Sequence, residues 1–301
     1  MQALTTRNAA AIPSLAVAGS AALWGLWWIP LRALDAQGLA GAWTSVAVFG
    51  GATLVLLPVA WLRRARLRAS GRSALAVGLL FGAALVAWNH ALILGEVVRV
   101  TLLFYLAPIW GTLLGILMLG IRPSALRLGT IVLGLCGAAI VLGFEDGLPV
   151  PRSLADWMGV AAGVLFALAA ALIHRAGRVG DLERTLCTFA MATLFASLLV
   201  WATPATVVPR WVDIPDLLPL LFAATALWYV PITWLIIWGA ARLDPGRVSI
   251  LLLLEVGVAA LSAGLLTDEP FGWREAIGGL LIVAAGALES YDAIRRQPAG
   301  S

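Results

Sequence analysis

The sequence predicts an all-α polytopic membrane protein of ten transmembrane helices, arranged as two inverted five-helix repeats. Three observations carry that prediction. Hydrophobic residues make up 61% of the chain and charged residues only 12%. Apolar runs near or above about eighteen residues recur from end to end, more than one soluble core could bury. Two of these runs are versions of one sequence, 148 positions apart: Arg99-Val100-Thr101-Leu102-Leu103 and Arg247-Val248-Ser249-Ile250-Leu251.

The runs, separated by short charged or Pro/Gly-containing breaks, place spans at 12–33, 39–62, 74–95, 100–121, 126–144, 156–176, 183–203, 216–240, 247–267 and 273–293. Each covers about 30 Å of hydrocarbon at 1.5 Å per residue, the fifth and tenth only just. Helices are required because an open strand edge in lipid leaves backbone groups unpaired. The first span ends in Trp27-Trp28-Ile29-Pro30 rather than a small-residue cleavage site, so it reads as a retained helix and not a signal peptide.

Arginine distribution sets orientation, all basic residues being Arg. Arg63, Arg64, Arg66, Arg68 and Arg72 crowd the second loop. Arg122 and Arg127 follow in the fourth, Arg175, Arg178 and Arg184 in the sixth, and Arg242 and Arg247 in the eighth. The alternate loops and their borders carry Asp35, Glu96, Glu145, Asp146, Asp156, Asp213, Asp216, Asp268, Glu269 and Glu275. Arg99, Arg152, Arg210 and Arg274 are their basic exceptions. That bias predicts cytoplasmic termini, including Arg7, Arg295 and Arg296. The net charge of +4 is absorbed by this role, so no nucleic-acid partner is inferred.

The repeat extends beyond one helix. Gly129-Thr130-Ile131-Val132-Leu133 recurs as Gly278-Gly279-Leu280-Leu281-Ile282, one residue further on. The halves are 12–144 and 156–293, and an odd number of spans per half inverts one copy against the other. Such a plan places two gates about one central site in many secondary transporters.

The stretch Leu253-Leu254-Glu255-Val256, with Leu265-Leu266-Thr267-Asp268-Glu269-Pro270 and Gly278-Gly279 after it, resembles the end of the EamA repeat of the drug/metabolite transporter superfamily. Leu23-Trp24-Gly25 is similar to its opening. The resemblance covers nearly the whole chain. Val256 stands where that repeat often has proline, and Ala107-Pro108 has the proline without the acid. Within the superfamily the Trp-rich chain looks most like bacterial exporters of aromatic amino acids. This implies a multi-pass protein of a bacterial inner cell membrane that exports small amphipathic metabolites by alternating access, not an enzyme. Transport of other metabolites or cations, an oligomeric ion channel and a membrane scaffold are the alternatives.

Glu255 is read as the only acid well inside a span, about 12 Å along the helix from Arg247. A charge there costs at least about 2.5 kcal/mol on insertion scales, so it must face water, hold a partner or be protonated. It fits a substrate ammonium or a coupling proton, or else a packing hydrogen bond. Asn89 and His90 intrude in span three and suit a zwitterion, or an interhelical bond. Pro108 and Pro231 remove backbone donors opposite the carbonyls of Phe104 and Leu227 and are candidate hinges or simple kinks. Tyr105 lies near Pro108 and Trp110.

Of the fourteen tryptophans, Trp43, Trp61, Trp157, Trp201, Trp211 and Trp273 sit at span ends and read as an interfacial belt. Trp24, Trp88, Trp110, Trp228 and Trp234 lie deeper, where they stack on a ligand or pack. The candidate substrate-binding set is Trp24, Asn89, His90, Tyr105, Trp110, Phe166, Trp228 and Glu255. The pairs Gly78/Gly82, Gly111/Gly115 and Gly159/Gly163 favour close helix contact.

Cys136 and Cys187 lack metal spacing and read as small apolar residues. No Gly-x-Ser-x-Gly, P-loop or dinucleotide fingerprint occurs. No catalytic residue, metal or cofactor is expected. The expected partners are a small-molecule substrate, a proton as a second candidate and the lipid bilayer, with the chain a monomer or weak homodimer.

Overall fold

The computed structural model describes residues 11–39, 41–95, 97–143, 150–177, 180–202, 214–266 and 272–295. Among the sequence expectations, the loop charges Arg7, Glu96, Glu145, Asp146, Arg178, Arg210, Asp213, Asp268, Glu269 and Arg296 lie outside these residues. So do Trp211 and the 267–270 part of the repeat signature.

The described residues form ten helical rods. These are α1 Ala11–Ala36, α2 Ala42–Leu62, α3 Arg64–Leu94, α4 in two pieces Val97–Phe104 and Ala107–Leu119, and α5 Ala125–Leu142. The second half repeats the count: α6 Leu154–Ala176, α7 Asp181–Ala202, α8 from Ile214 to Ala240, α9 Pro245–Leu266 and α10 Trp273–Arg295. All but α10 are long and apolar enough to cross a membrane by length and composition. The third span was expected from residue 74, but α3 begins at Arg64. The arginines there continue the helix beyond the apolar run because Arg is a good helix former.

Short connections use local chemistry. Gly120 adopts φ 66°, the left-handed C-cap that ends α4 at no Cβ cost. Ser124 caps α5 by accepting from the Arg127 amide, and Ser153 with Asp156 forms a capping box on α6. Asp244 caps α9, with Pro245 at the first helical position.

Four rods are interrupted at depth. α1 breaks at Leu26–Trp27, α4 at Tyr105–Leu106 and α9 at Leu253, while α8 winds as a π-helix over Ala223–Tyr229 before Pro231. The breaks in α4 and α9 fall at repeat-equivalent positions, 148 apart. Pro108 and the freed Phe104 carbonyl explain the first. A Cβ added at Gly163 would stand 2.7 Å from that carbonyl, so α6 covers it closely. In the other half, Gly25 of α1 does the same for the Glu255 carbonyl, with 2.5 Å for its Cβ.

Helix crossings rest on small residues. Gly78 and Gly82 pack α3 on Cys187 and Ala192 of α7, and Gly137 and Gly278 let α5 and α10 meet backbone to backbone. Gly111 lies against Pro245 and Ser249 while Gly115, one turn on, reaches only back to Pro245, so α4 and α9 cross antiparallel. Gly115 has only the Pro245 ring within 4 Å, at 3.9 Å.

Candidate functional site

Six helices converge on a central cavity: α1, α3, α4, α6, α8 and α9. Helix α3 contributes Phe81, Ala84, Leu85 and Trp88, which at spacings of three, four and seven share one face. Trp24, Phe104, Phe166, Ile236 and Leu252 complete an apolar wall, and Glu255 is its one ionisable side chain. Trp88 and Phe104 stack with centroids 4.5 Å apart, and Phe81 meets Phe166 edge-on at 5.4 Å. The cavity is about 40 Å³ in this state, room for a few waters.

Beside it opens a vestibule of about 490 Å³, within the range of small-molecule sites. Its walls come from the end of α1, the start of α2, the end of α3 and α8. They mix Trp27, Trp28 and Phe49 with Arg32, Asp35, Thr44, Ser45 and Asn89. It lies on the face opposite the α2–α3 arginines.

Tyr229 separates the two spaces. Its ring meets Trp24 of the cavity at 4.9 Å and Trp27 of the vestibule at 4.7 Å, both edge-on. It interacts with Asn89 on one side and with Glu255 on the other. Tyr105 is 2% exposed and couples to the Glu255 carboxylate from α4. Neither tyrosine hydroxyl makes a well-directed hydrogen bond, and the buried Trp24 Nε1–H also has no partner. The Tyr105 hydroxyl addresses Glu255 and the Tyr229 hydroxyl Asn89, so of the three neutral donors gathered near this carboxylate only the Trp24 indole is left without any partner.

The remaining sequence candidates are dispersed. Asn89 lines the vestibule and donates from Nδ2 to the Leu85 carbonyl at 2.9 Å. His90 is buried, its Nδ1 unpartnered, and is on the wall of neither space; nor is Trp110, whose Nε1–H is likewise buried without a partner. Trp228 donates to the Leu23 carbonyl beside the α1 break. Pro108 and Pro231 begin the second pieces of α4 and α8. Sequence reasoning passed over Phe81, Phe104, Tyr229, Ile236 and Leu252. The repeat offset ties three of them to wall residues of the first half, Tyr229, Ile236 and Leu252 lying 148 positions after Phe81, Trp88 and Phe104, of which sequence reasoning marks Trp88.

The arginine-bearing face is closed by ions. Arg127 of α5 donates to both oxygens of Asp244 at 2.8 Å, and to Glu289 of α10 at 2.8 Å. Arg247 reaches Glu289 at 3.3 Å and Thr130 donates to it at 3.1 Å. Glu289, near the end of α10, is fully buried, an enclosed acid in addition to the mid-span Glu255. It escaped notice because it lies near the end of the last run. A second cluster joins Arg242 to Asp181 at 3.0 Å, with Arg242 over the Trp238 ring.

The sequence profile described as the EamA-like transporter family matches residues 11–143 and 153–290, most of the chain in two copies. The chain belongs to the EamA-like transporter family. This makes it a multi-pass membrane transporter of small metabolites. A solved structure described only as a crystal structure of a protein aligns with a TM-score of 0.71 at 20% identity, over 94% of this chain and 99% of that one. It supports the fold alone. No curated protein matches the chain.

Proposed function

We propose that this EamA-like chain is a secondary transporter that exports small amphipathic metabolites, aromatic and other hydrophobic amino acids first among them, by alternating access. The observation that carries the reading is the pairing of one acid with neutral donors, the unpartnered Trp24 indole among them, inside an aromatic wall. Glu255 suits an ammonium. The Trp24 indole and the Tyr105 and Tyr229 hydroxyls suit a carboxylate, which accepts but cannot donate. Trp88, Phe81, Phe104 and Phe166 suit a flat apolar side chain.

Entry and release use the vestibule on one face and, after the Arg127–Asp244–Glu289 cluster opens, the other face. The two halves, 12–144 and 156–293, rock about the shared cavity. The arginine asymmetry supports cytoplasmic termini in an inner cell membrane, which puts the vestibule outside. The protein acts as a monomer or weak homodimer, with a proton on Glu255 as the coupling ion.

The test is flux in proteoliposomes against labelled amino acids, sugars and quaternary amines. Accumulation of aromatic amino acids, with Glu255→Gln losing pH-gradient-driven flux but keeping exchange, is the expected result. Uptake of amines to the exclusion of amino acids would move the assignment to cations, a reading the single acid and aromatic wall also accommodate. Gradient dependence that survives Glu255→Gln would remove this residue from coupling.

A further inference from the structure

Helix α3 is longer than its membrane task requires. Its 31 residues extend about 46 Å, some 16 Å more than the hydrocarbon layer. The excess is the N-terminal stretch from Arg64 to Ser73, which carries Arg64, Arg66, Arg68 and Arg72 and no acid.

One side of this stretch is occupied by protein. Leu67 packs on the main core, Ala74 is fully buried, and Ser70 lies against Gly180 of the α6–α7 connection. Arg63, just before the helix, faces the same way and pairs with Glu183 at 3.5 Å. Arg64, Arg68 and Arg72 recur every four residues, which puts them on a common stripe on the opposite side. All three are exposed, as is Arg66. Among the described residues none of these four forms an ion pair, whereas Arg99, Arg127, Arg184, Arg242 and Arg247 all do.

Immediately before the stripe, at the end of α2, Trp61 is 71% exposed and Leu62 81%. The Arg64 guanidinium sits over the Trp61 ring at 5.5 Å. An exposed indole and leucine at a span end belong in the headgroup layer. That depth brings the stripe to the layer of lipid headgroups, whose phosphate oxygens match five-donor guanidinium forks.

We infer that the α3 extension is a binding surface for anionic phospholipid headgroups, with Arg64, Arg68 and Arg72 taking the phosphates and Trp61 and Leu62 seated among the acyl-chain ends. Topology alone would be served by charge anywhere in the loop. It does not require a rigid helix that presents three arginines along one line at the membrane surface. The extension is continuous with the Phe81–Trp88 face of the cavity, so headgroup binding anchors the helix that carries most of the wall.

The experiment is lipid retention by native mass spectrometry on the full chain, released from vesicles of phosphatidylglycerol and phosphatidylcholine in equal amounts. The wild type should keep the anionic lipid at least about tenfold over the zwitterionic one. R64Q/R68Q/R72Q should bring the ratio close to unity. An unchanged ratio overturns the proposal. Removing arginines can disturb insertion, so the wild type supplies an independent readout: raising NaCl from about 0.05 to about 0.5 M should erode the preference. A preference indifferent to salt overturns it as well. Inorganic phosphate at about 10 mM should compete weakly at most; complete displacement of the lipid by phosphate at that level, which a soluble-anion site would show, also overturns it.

Discussion

Arg99 and Arg247 hold the same place in the two repeats, at the starts of α4 and α9, yet they close opposite faces with different machinery. Arg99 meets one carboxylate, Asp156, at 3.0 Å and the Val150 carbonyl at 2.7 Å, beside a crevice of about 420 Å³. Arg247 shares the buried Glu289 with Arg127, which also grips Asp244 through two bonds. The repeat determines where each arginine falls. What it meets depends on the other helices, α6 on one face and α5 and α10 on the other. Duplication thus supplied a symmetric backbone, and side-chain divergence made its two closures unequal. The vestibule accordingly lies on the side of the thinner one.

That inequality predicts its own measurement. Arg127→Ala removes the bidentate partner of Asp244 and leaves Glu289 to Arg247 and Thr130 alone, and should cost about 3 kcal/mol, read as a fall in unfolding temperature in detergent micelles. Arg99→Ala should cost only about 1–2 kcal/mol, because Asp156 keeps the Arg152 and Ser153 amide donors. Equal losses would break the comparison.

The two carbonyl-covering glycines should behave as partners. Gly25→Ala and Gly163→Ala each force a methyl onto backbone and should cost about 1–3 kcal/mol, whereas Gly115→Ala, which meets only the Pro245 ring at 3.9 Å, should stay within about 0.5 kcal/mol. Loss at Gly115 as large as at Gly163 would mean that the glycine spacing itself matters and not the contact it makes.

A further test concerns the hinges. Val256 lies in the first turn after the α9 break and bonds only back to the Leu253 carbonyl. Val256→Pro should therefore cost about 1 kcal/mol, one hydrogen bond, rather than the roughly 3 kcal/mol of a proline inside an unbroken helix. A cost near the larger figure would show that α9 lacks the interruption that Pro108 gives α4.

Much of the fold was legible because lipid imposes a single rule, that each crossing be a long apolar helix, and the chain obeys it. The inverted plan was legible from Arg99 and Arg247 for the same reason. The site was harder to read. Trp24, Phe166 and Glu255 lie on the cavity wall, but His90 and Trp110 do not, since polarity or size within a span says nothing about which way it points. Helix α3 could have been oriented from Phe81, Ala84, Leu85 and Trp88, a helical spacing hidden among equally apolar neighbours. Glu289 was invisible because its partners come from residues 42 to 162 positions away, and sequence distance gives no hint that Arg247, Asp244 and Arg127 meet there.

The π turn of α8 ends on Tyr229, the ring held between Trp24 and Trp27. A π-helical segment holds one residue more than the α-helical turns that would replace it. Expelling that residue toward Pro231 would twist the upstream side chains through roughly 100° relative to those beyond. Because Tyr229 is the last residue of that segment, such a register change would be felt at the boundary between the vestibule and the space around Glu255. A one-residue deletion within Ala223–Tyr229 would leave the segment plain α-helix.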